Sequence, residues 1–309
     1  MNTLYYSLAS KELTREPDGL QLIHPMNSFP LFPPGLPLPT LVRQLGLIPR
    51  KGMGQNFLID ENISEKIVRY SQVQSDDRVV EIGPGLGSLT RHLARMVKHL
   101  IVIEMDQRLL TVLRHRVGED VSMTVEWADA LRFDFLALSQ TLGGPIKIVA
   151  NLPYNISSPL LVHLLDHRLA METMTLMFQK EVAQRITAPP GGRDYGSLSV
   201  QTTQWMVVES LFDVGPQAFY PVPKVQSTVV HMRRRSQPLA AVDDATLFRQ
   251  VVRTAFGQRR KTLTNALKPM HPNPKSWLMD ADIDPSRRAE TLDCHEFARL
   301  TNTLGSHSR

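Results

Sequence analysis

The sequence predicts an α/β protein in which a mainly parallel sheet is followed by a small helical domain. From residue 76 onward, short apolar runs alternate with helical patterns, which is typical of βαβ units whose sheet is covered on both faces. After Ser236 the β-rich runs stop, and residues 247–256 place their apolar side chains at helical spacing. We therefore predict a sheet domain over residues 50–236 and a helical domain over residues 237–309.

The individual elements follow from the apolar runs taken in chain order. The predicted strands are RVVEIG, HLIVIEMD, MTVEWA, PIKIVANL, TMTLMFQ and STVVHMRRR. The predicted helices are SLTRHLARM, QRLLTVLRHRV, SPLLVHLLDHR, KEVAQRI, SLSVQTTQWM and LFRQVVRTAF. The strand segments have six to nine residues with a short apolar run in each, and the helix segments have apolar residues three or four positions apart.

Composition narrows the classes of protein to be considered. The chain has 309 residues, 42% of them hydrophobic, which suits one large domain and a smaller one. No run of 18 apolar residues exists, so the sequence predicts no membrane-spanning helix. A single cysteine, Cys294, excludes a disulfide within the chain and a thiolate-rich zinc site. A net charge of +5 indicates a polyanionic partner.

The first 49 residues have a different character. Six prolines fall between Pro25 and Pro39, and neither helical nor strand periodicity persists there. No basic head precedes an uninterrupted apolar stretch, which argues against a secretory signal, and acidic residues between positions 12 and 18 argue against a mitochondrial presequence. We predict a disordered extension over residues 1–49 and a cytoplasmic protein.

A glycine-rich turn and two acidic residues indicate a nucleoside pocket. The stretch EIGPGLGSLT follows a strand and opens a helix, and Gly83 and Gly85 permit a tight turn with close approach of a ligand. Alone, this turn fits a purely structural role equally well. Glu104 ends the second strand, where a carboxylate can accept both ribose hydroxyls. Asp129 follows the third strand, where it can meet an adenine amino group. In this order, the three features predict an adenosyl-ligand pocket.

The segment Asn151-Leu152-Pro153-Tyr154 follows a buried strand and suits the chemistry of an aromatic amine. Such an amine is a poor nucleophile because its lone pair is delocalised into the ring. The Asn151 side-chain oxygen and the Leu152 carbonyl can hold its two N–H groups, and Pro153 fixes the backbone. Tyr154 offers a ring face on which a flipped base can stack. The alternative is a Pro-Tyr turn capped by asparagine.

Two loops could complete the pocket. Residues 52–60, GMGQNFLID, lead into a helix, and Asn56 and Leu58 could close over a ligand; the alternative is a plain helix entry. Residues 219–227, FYPVPKVQS, form a rigid loop before the last strand, and Phe219 could be the second wall around a base. The alternative for this loop is a hydrophobic plug.

A basic series near the C-terminus predicts a phosphate-tracking surface, with a solvated basic face as the alternative. Its members are Arg233, Arg234, Arg235, Arg249, Arg253, Arg259, Arg260 and Lys261. No metal is predicted, because His163 and His167 lie four residues apart without a third ligand nearby.

Five separated blocks together resemble the ribosomal RNA adenine N6,N6-dimethyltransferases, most of all the bacterial small-subunit, kasugamycin-resistance type. The blocks are QNFLID, EIGPGLGSLT, IEMD, NLPYNISSPLL and FYPVPKV, followed by FGQRRKTLTNAL. The resemblance runs from about residue 50 to the C-terminus. It implies a Rossmann-like methyltransferase sheet with a C-terminal helical domain that binds RNA.

The resemblance also implies the cofactor, the substrate and their contacts. The cofactor is expected to be S-adenosylmethionine, and the substrate two adjacent adenines in a hairpin near the 3′ end of 16S rRNA, in a 30S precursor bound by a monomer. Cofactor contacts are expected from Asn56, Leu58, Gly83, Gly85, Glu104, Asp129 and Asn151. The target base is expected to meet Asn151, Leu152, Pro153, Tyr154 and Phe219.

Two other functions remain open at this point. One is a large-subunit rRNA adenine methyltransferase of the macrolide-resistance type, which shares the pocket. The other is a non-enzymatic nucleic-acid-binding role, as in related mitochondrial transcription factors. The FGQRRKTLTNAL block favours the small-subunit enzyme over the first, and the intact NLPY block argues against the second.

Overall fold

The computed structural model describes residues 13–16, 19–22, 40, 55–117 and 121–306. The strands in chain order are β1 (Leu13–Glu16), β2 (Gly19–Leu22), β3 (Phe57–Leu58), β4 (Val79–Ile82), β5 (Leu100–Glu104), β6 (Met123–Trp127), β7 (Ile146–Asn151), β8 (Met171–Gln179), β9 (Met206–Val214), β10 (Phe219–Tyr220) and β11 (Ser227–Arg234). The helices are α1 (Glu61–Tyr70), α2 (Thr90–Met96), α3 (Gln107–Val117), α4 (Phe135–Thr141), α5 (Ser157–Asp166), α6 (Lys180–Thr187), α7 (Ser197–Trp205), α8 (Ala245–Gly257), α9 (Leu263–Ala266), α10 (Pro274–Asp280) and α11 (Cys294–Ser306).

Seven strands form the central sheet in the order β6-β5-β4-β7-β8-β11-β9. Strands β4 to β8 are parallel to one another, whereas β11 is antiparallel to both of its neighbours. The strand order reverses between β4 and β7, and open α/β sheets bind ligands in the crevice at that point. The carboxyl ends of the parallel strands, including Glu104 and Asn151, therefore meet at one edge of the sheet.

Three apolar cores hold the chain together. One face of the sheet packs on α4 and α5 through residues such as Phe135 and Leu164. The other face packs on α1, α2 and α3, with Leu93 and Leu113 buried. The third core lies among the C-terminal helices around Trp277, and Tyr195 and Val200 from the region of α7 belong to it as well.

The predicted α/β class is confirmed, and so are the predicted strands and helices. Strand β9 was not predicted; it starts directly after Trp205 with no intervening turn residue. Most residues of this edge strand are exposed or half-buried, so it lacks the apolar run that marks its neighbours. The short helix α4 was also missed; Asp134 begins it by accepting a hydrogen bond from the Ala137 backbone N–H at 2.9 Å.

The N-terminal segment departs in part from the prediction. Strands β1 and β2 pair antiparallel, with Leu13 opposite Leu22, inside the range for which no regular structure was expected. Such a hairpin needs only local backbone pairing, which the lack of a regular apolar pattern does not prevent. The proline-rich stretch lies outside the described residues, and the domain boundaries remain a prediction. No helix in the described ranges is long and apolar enough to cross a membrane.

Candidate active site

A cavity opens at the edge of the sheet where β4 and β7 end. Open α/β sheets bind ligands at such a point, and this cavity gathers most of the site residues predicted from the sequence. The predicted residues that line it are Asn56, Leu58, Gly83, Gly85, Glu104, Asn151, Leu152, Pro153 and Tyr154.

The glycine turn after β4 forms the floor of this cavity. Gly83 has φ +65° and donates its backbone N–H to the Ile103 carbonyl at 2.9 Å, which ties the turn to β5. Gly85 has φ +57°, and a Cβ added there would lie 3.2 Å from Cδ1 of Phe57. A side chain at Gly85 would be both strained and crowded, so this turn requires glycine.

Glu104 presents a buried carboxylate at the end of β5. The residue is 8% exposed, and its side chain accepts hydrogen bonds from the backbone N–H of Gly85 at 3.3 Å and of Asp106 at 2.9 Å. Burial raises the pKa of Glu104 above its ordinary value. Each carboxylate oxygen retains capacity for a further donor, as two ribose hydroxyls would require. The neighbouring Asp106 is bound by Arg108, whose hydrogen bond lowers the pKa of Asp106.

Glu81 is a functional candidate that was not predicted from the sequence. It lines the same cavity, is 1% exposed, and its Oε2 has no hydrogen-bond partner. Burial is the largest cause that raises its pKa, to about 8. The available signal was a carboxylate inside the apolar run VVEI, directly before the glycine turn, because a charged residue in a fully buried strand needs a reason to be there.

The Asn151–Tyr154 segment is held from two sides. The Asn151 side-chain Nδ2 donates to the Asn56 carbonyl at 3.3 Å, so its Oδ1 is the group left to act as an acceptor. The Tyr154 hydroxyl and the buried Ser227 Oγ lie 2.7 Å apart, a hydrogen bond that fixes the ring. Burial raises the pKa of Tyr154.

Two predicted residues lie outside the lining of this cavity. Phe219 is 1% exposed and stands opposite Leu58 in the β3–β10 pair, in the core beneath the site. The paired residues Phe219 and Leu58 are both part of the core. This position of Phe219 corresponds to the hydrophobic plug that was the alternative for the loop. Asp129 accepts from the Leu131 backbone N–H at 2.9 Å and lies 4.0 Å from Arg132. Their roles at the base and the cofactor stay predictions.

Part of the basic series lies at the opposite edge of the sheet. Strand β11 starts at the site, with Ser227 opposite Gln179, and runs away from it until Arg233 stands opposite Thr173. Six residues of strand span about 20 Å. The next residue, Arg234, donates to the Met171 carbonyl at 2.8 Å. The structure therefore does not bring Arg233 and Arg234 to the cavity.

The other basic residues have varied surroundings. Arg249 pairs with Asp166 at the far end of α5, and Arg259 pairs with Glu290 at 3.1 Å. Arg235 donates to the Thr203 carbonyl at 3.0 Å. The remaining members of the series, all of them exposed, are Arg253, Arg260 and Lys261. Their RNA contacts stay a prediction.

His163 and His167, which were not predicted to bind a metal, make hydrogen bonds to backbone carbonyls. His163 Nε2 lies 2.9 Å from the Phe133 carbonyl, and His167 Nδ1 lies 3.0 Å from the His163 carbonyl. Both rings also pack edge-to-face on Phe135. These contacts are those of a helix face rather than of a metal site.

Comparison with known sequences matches this chain to a family and to proteins that are named for the methylation of ribosomal RNA. The family model described as ribosomal RNA adenine dimethylase matches residues 48–305. A Magnetococcus marinus protein named ribosomal RNA small subunit methyltransferase A is 51% identical over 263 residues, 85% of this chain and 94% of that protein. A Pseudomonas aeruginosa protein of the same name is 44% identical and covers 82% and 94% respectively.

Solved structures show the same architecture. A dimethyladenosine transferase from Plasmodium falciparum superposes with a TM-score of 0.64 at 27% identity, over 80% of this chain and 97% of that one. The 23S rRNA methyltransferase ErmE superposes with a TM-score of 0.60 at 27% identity, over 81% of this chain and all of that one.

Proposed function

The chain belongs to the ribosomal RNA adenine dimethylase family, and we propose that it dimethylates N6 of two adjacent adenines in a hairpin near the 3′ end of 16S rRNA. It is an S-adenosylmethionine-dependent methyltransferase, as predicted from the sequence. The single observation that carries the proposal is the cavity in which a glycine turn, a buried carboxylate and the Asn151–Tyr154 segment meet. We place its action on a small-subunit precursor in the cytoplasm, as a monomer.

The comparisons favour the small-subunit substrate over the two alternatives. Relatives named for the small subunit reach 51% identity, whereas the large-subunit enzyme ErmE is 27% identical. A purely nucleic-acid-binding role would leave no reason to retain buried carboxylates in a cavity, since each of them costs free energy there. The macrolide-resistance and transcription-factor roles are therefore less well supported.

The cavity fits the cofactor in charge and shape. S-adenosylmethionine supplies a methyl group on a positively charged sulfur. Glu104 would accept the ribose hydroxyls, and the turn at Gly83 and Gly85 would lie against the ligand without a side chain in between. Asn56 and Leu58 would close the cavity from the loop before α1.

The remaining residues position the target amine. Because Nδ2 of Asn151 is held by the Asn56 carbonyl, Oδ1 can accept one N–H of the base, and the Leu152 carbonyl can accept the other. These two acceptors turn the amine lone pair out of conjugation, and Pro153 fixes the backbone between them. Tyr154, locked by Ser227, offers its ring face for stacking. No strong general base is needed, since the amine becomes acidic only after it has been methylated.

Substitution of Asn151 tests this proposal directly. Asn151→Ala removes one preorganised acceptor, and we expect the single-turnover methylation rate on small subunits to fall about a hundredfold or more. Asn151→Asp keeps an oxygen acceptor and should retain part of the rate. Gln140→Ala, at an exposed side-chain amide near the end of α4, is the control and should leave the rate unchanged.

The substrate comparison decides between the subunits. Unmethylated small subunits should accept methyl groups, whereas large subunits and their 23S rRNA should not. Methylation of the large subunit alone, or a wild-type rate from Asn151→Ala, would contradict the proposal.

A further inference from the structure

We propose that a second cavity, remote from the candidate active site, binds a backbone phosphate of the rRNA and anchors the RNA outside the target nucleotides. The inference rests on the proposed function, because it takes rRNA as the substrate. It assigns a role to Arg168, which lies outside the basic series predicted from the sequence.

The second cavity lies where the ends of α5 and α7 meet the beginning of α8. It encloses about 200 Å³. At the start of α5 the Ser157 hydroxyl donates to the Tyr154 carbonyl at 3.1 Å, whereas Asp166, at the end of α5, lines the second cavity. The ten residues of this helix span about 15 Å. A phosphate in the second cavity therefore does not belong to the nucleotide whose base stacks on Tyr154.

Arg168 supplies this cavity with a cation that has no counter-ion in the protein. Its guanidinium carbon lies over the Trp205 ring, 3.9 Å from the ring centre, and this cation–π contact holds the group in place. One N–H of the guanidinium donates to the Leu165 carbonyl at 3.4 Å. None of the ion pairs in the described part of the chain includes Arg168. A half-buried cation of this kind is suited to an anionic ligand.

The other charges at the cavity leave Arg168 uncompensated. Asp166 and Arg249 both line the cavity and pair with each other. The lining thus carries two positive side chains and one negative, a net charge of +1. Asp244, which precedes α8, accepts hydrogen bonds from two backbone N–H groups of the first turn at 2.8 and 3.0 Å, so its carboxylate is already engaged. The cavity therefore attracts an anion.

The surroundings favour a phosphate of a nucleic acid chain over a small free anion. Strand β11 brings further arginines to this edge of the sheet. Arg234 donates to the carbonyl of Met171, the residue that follows the turn Arg168–Ala170, and the backbone N–H of Arg235 donates to the Trp205 carbonyl at 2.9 Å. Arg233, beside them, is exposed. Cations that continue from a cavity onto the surface match successive phosphates, and a guanidinium can donate two parallel hydrogen bonds to one of them.

Equilibrium binding of the full chain to unmethylated small subunits, in a salt series at constant Mg²⁺, measures this contact. Arg168→Gln removes one phosphate contact and its released counter-ion. The slope of log affinity against log salt concentration should therefore fall by about 0.7 to 0.9. This slope corresponds to an affinity about five- to eightfold lower at about 0.1 M salt, with almost no difference at about 1 M.

Three further variants control for charge, packing and location. Arg168→Lys keeps the positive charge and should keep the slope. Asp166→Asn releases Arg249 for the phosphate, so binding should become tighter and the slope steeper, and a gain of this kind does not arise from misfolding. Arg95→Gln removes an exposed arginine near the end of α2, on the other face of the sheet, and should leave the slope unchanged. Circular dichroism checks that each variant is folded.

Methylation kinetics give a second readout. Because the second cavity is remote from the reacting atoms, Arg168→Gln should raise the concentration of subunits needed for half-saturation rather than lower the single-turnover rate at saturation. A lower rate at saturation, with unchanged half-saturation, would place Arg168 in the chemistry and overturn the anchoring role.

The binding outcomes separate this inference from the proposed function. A wild-type slope for Arg168→Gln, or an equal loss for Arg168→Gln and Arg168→Lys, would overturn the phosphate contact and leave the methyltransferase assignment intact. An equal loss for Arg95→Gln would show an effect of net charge alone, and Asp166→Asn that binds no tighter than wild type would contradict the inference as well. A wild-type protein that does not methylate small subunits would refute the proposed function itself.

Discussion

Replacing Glu81 by glutamine should stabilise the ligand-free protein at neutral pH, by an amount that depends on pH. In the unfolded chain Glu81 ionises near its ordinary pKa of 4.5, whereas in the folded protein it stays protonated up to about pH 8. Between these values the folded state holds one proton more than the unfolded state. The free energy of unfolding must then decrease as pH rises through this window.

The magnitude follows from the size of the pKa shift. One pKa unit corresponds to about 1.4 kcal/mol. Relative to its value at pH 4.5, the contribution of Glu81 is therefore lower by about 3 kcal/mol at pH 7 and by about 4 kcal/mol above pH 8. Glutamine does not titrate, so the variant lacks this loss. Since many domains unfold with only about 5–15 kcal/mol, the difference is a large part of the total.

Urea unfolding followed by circular dichroism at several pH values between about 5 and 8.5 measures this effect. The quantity of interest is the difference between the two proteins, because titration of all other groups cancels in it. That difference should grow with pH in favour of Glu81→Gln and level off above pH 8. Parallel pH profiles for wild type and variant would show that Glu81 ionises normally, and the reasoning from burial would fail.

Three other predictions follow from the contacts at and away from the site. Tyr154→Phe and Ser227→Ala each break the same hydrogen bond, so each should slow methylation modestly. The double variant should be no slower than the slower of the two single variants. Additive losses in the single-turnover rates would refute a shared role. Tyr154→Ala should be far slower, because stacking worth about 1–3 kcal/mol is lost, and a rate equal to that of Tyr154→Phe would contradict the stacking role. Arg253→Glu should weaken rRNA binding and lower the slope of log affinity against log salt concentration by about 0.7 to 0.9 per lost phosphate contact. Arg249→Gln is measured for comparison, because Arg249 already pairs with Asp166 within the protein. An unchanged slope for Arg253→Glu would show that this face is only solvated.

The cofactor half of the site could be predicted because its residues sit at the ends of consecutive parallel strands. Gly83, Glu104 and Asn151 are more than twenty residues apart in the chain pairwise, yet parallel strands bring their carboxyl ends to one edge. The order of the apolar runs along the chain is therefore enough to imply that these residues converge. Glu81 was overlooked because its importance comes from burial and a missing partner, and neither can be read from a motif.

The last strand shows where reasoning along the chain fails. Phe219, Ser227 and Arg233 follow one another within fifteen residues, and their order in the chain alone does not show which of them reach the site. In the fold, Phe219 pairs with Leu58 and is buried in the core, whereas Ser227 is hydrogen-bonded to Tyr154 at the site. Strand β11 then runs antiparallel to β8 and carries Arg233 to the far edge of the sheet. The direction of a strand decides which end of it meets a ligand, and that direction depends on its pairing with distant residues. Arg233 and Arg234, at the end of β11, therefore lie at the edge opposite the active site, although Ser227 at the start of the same strand reaches it.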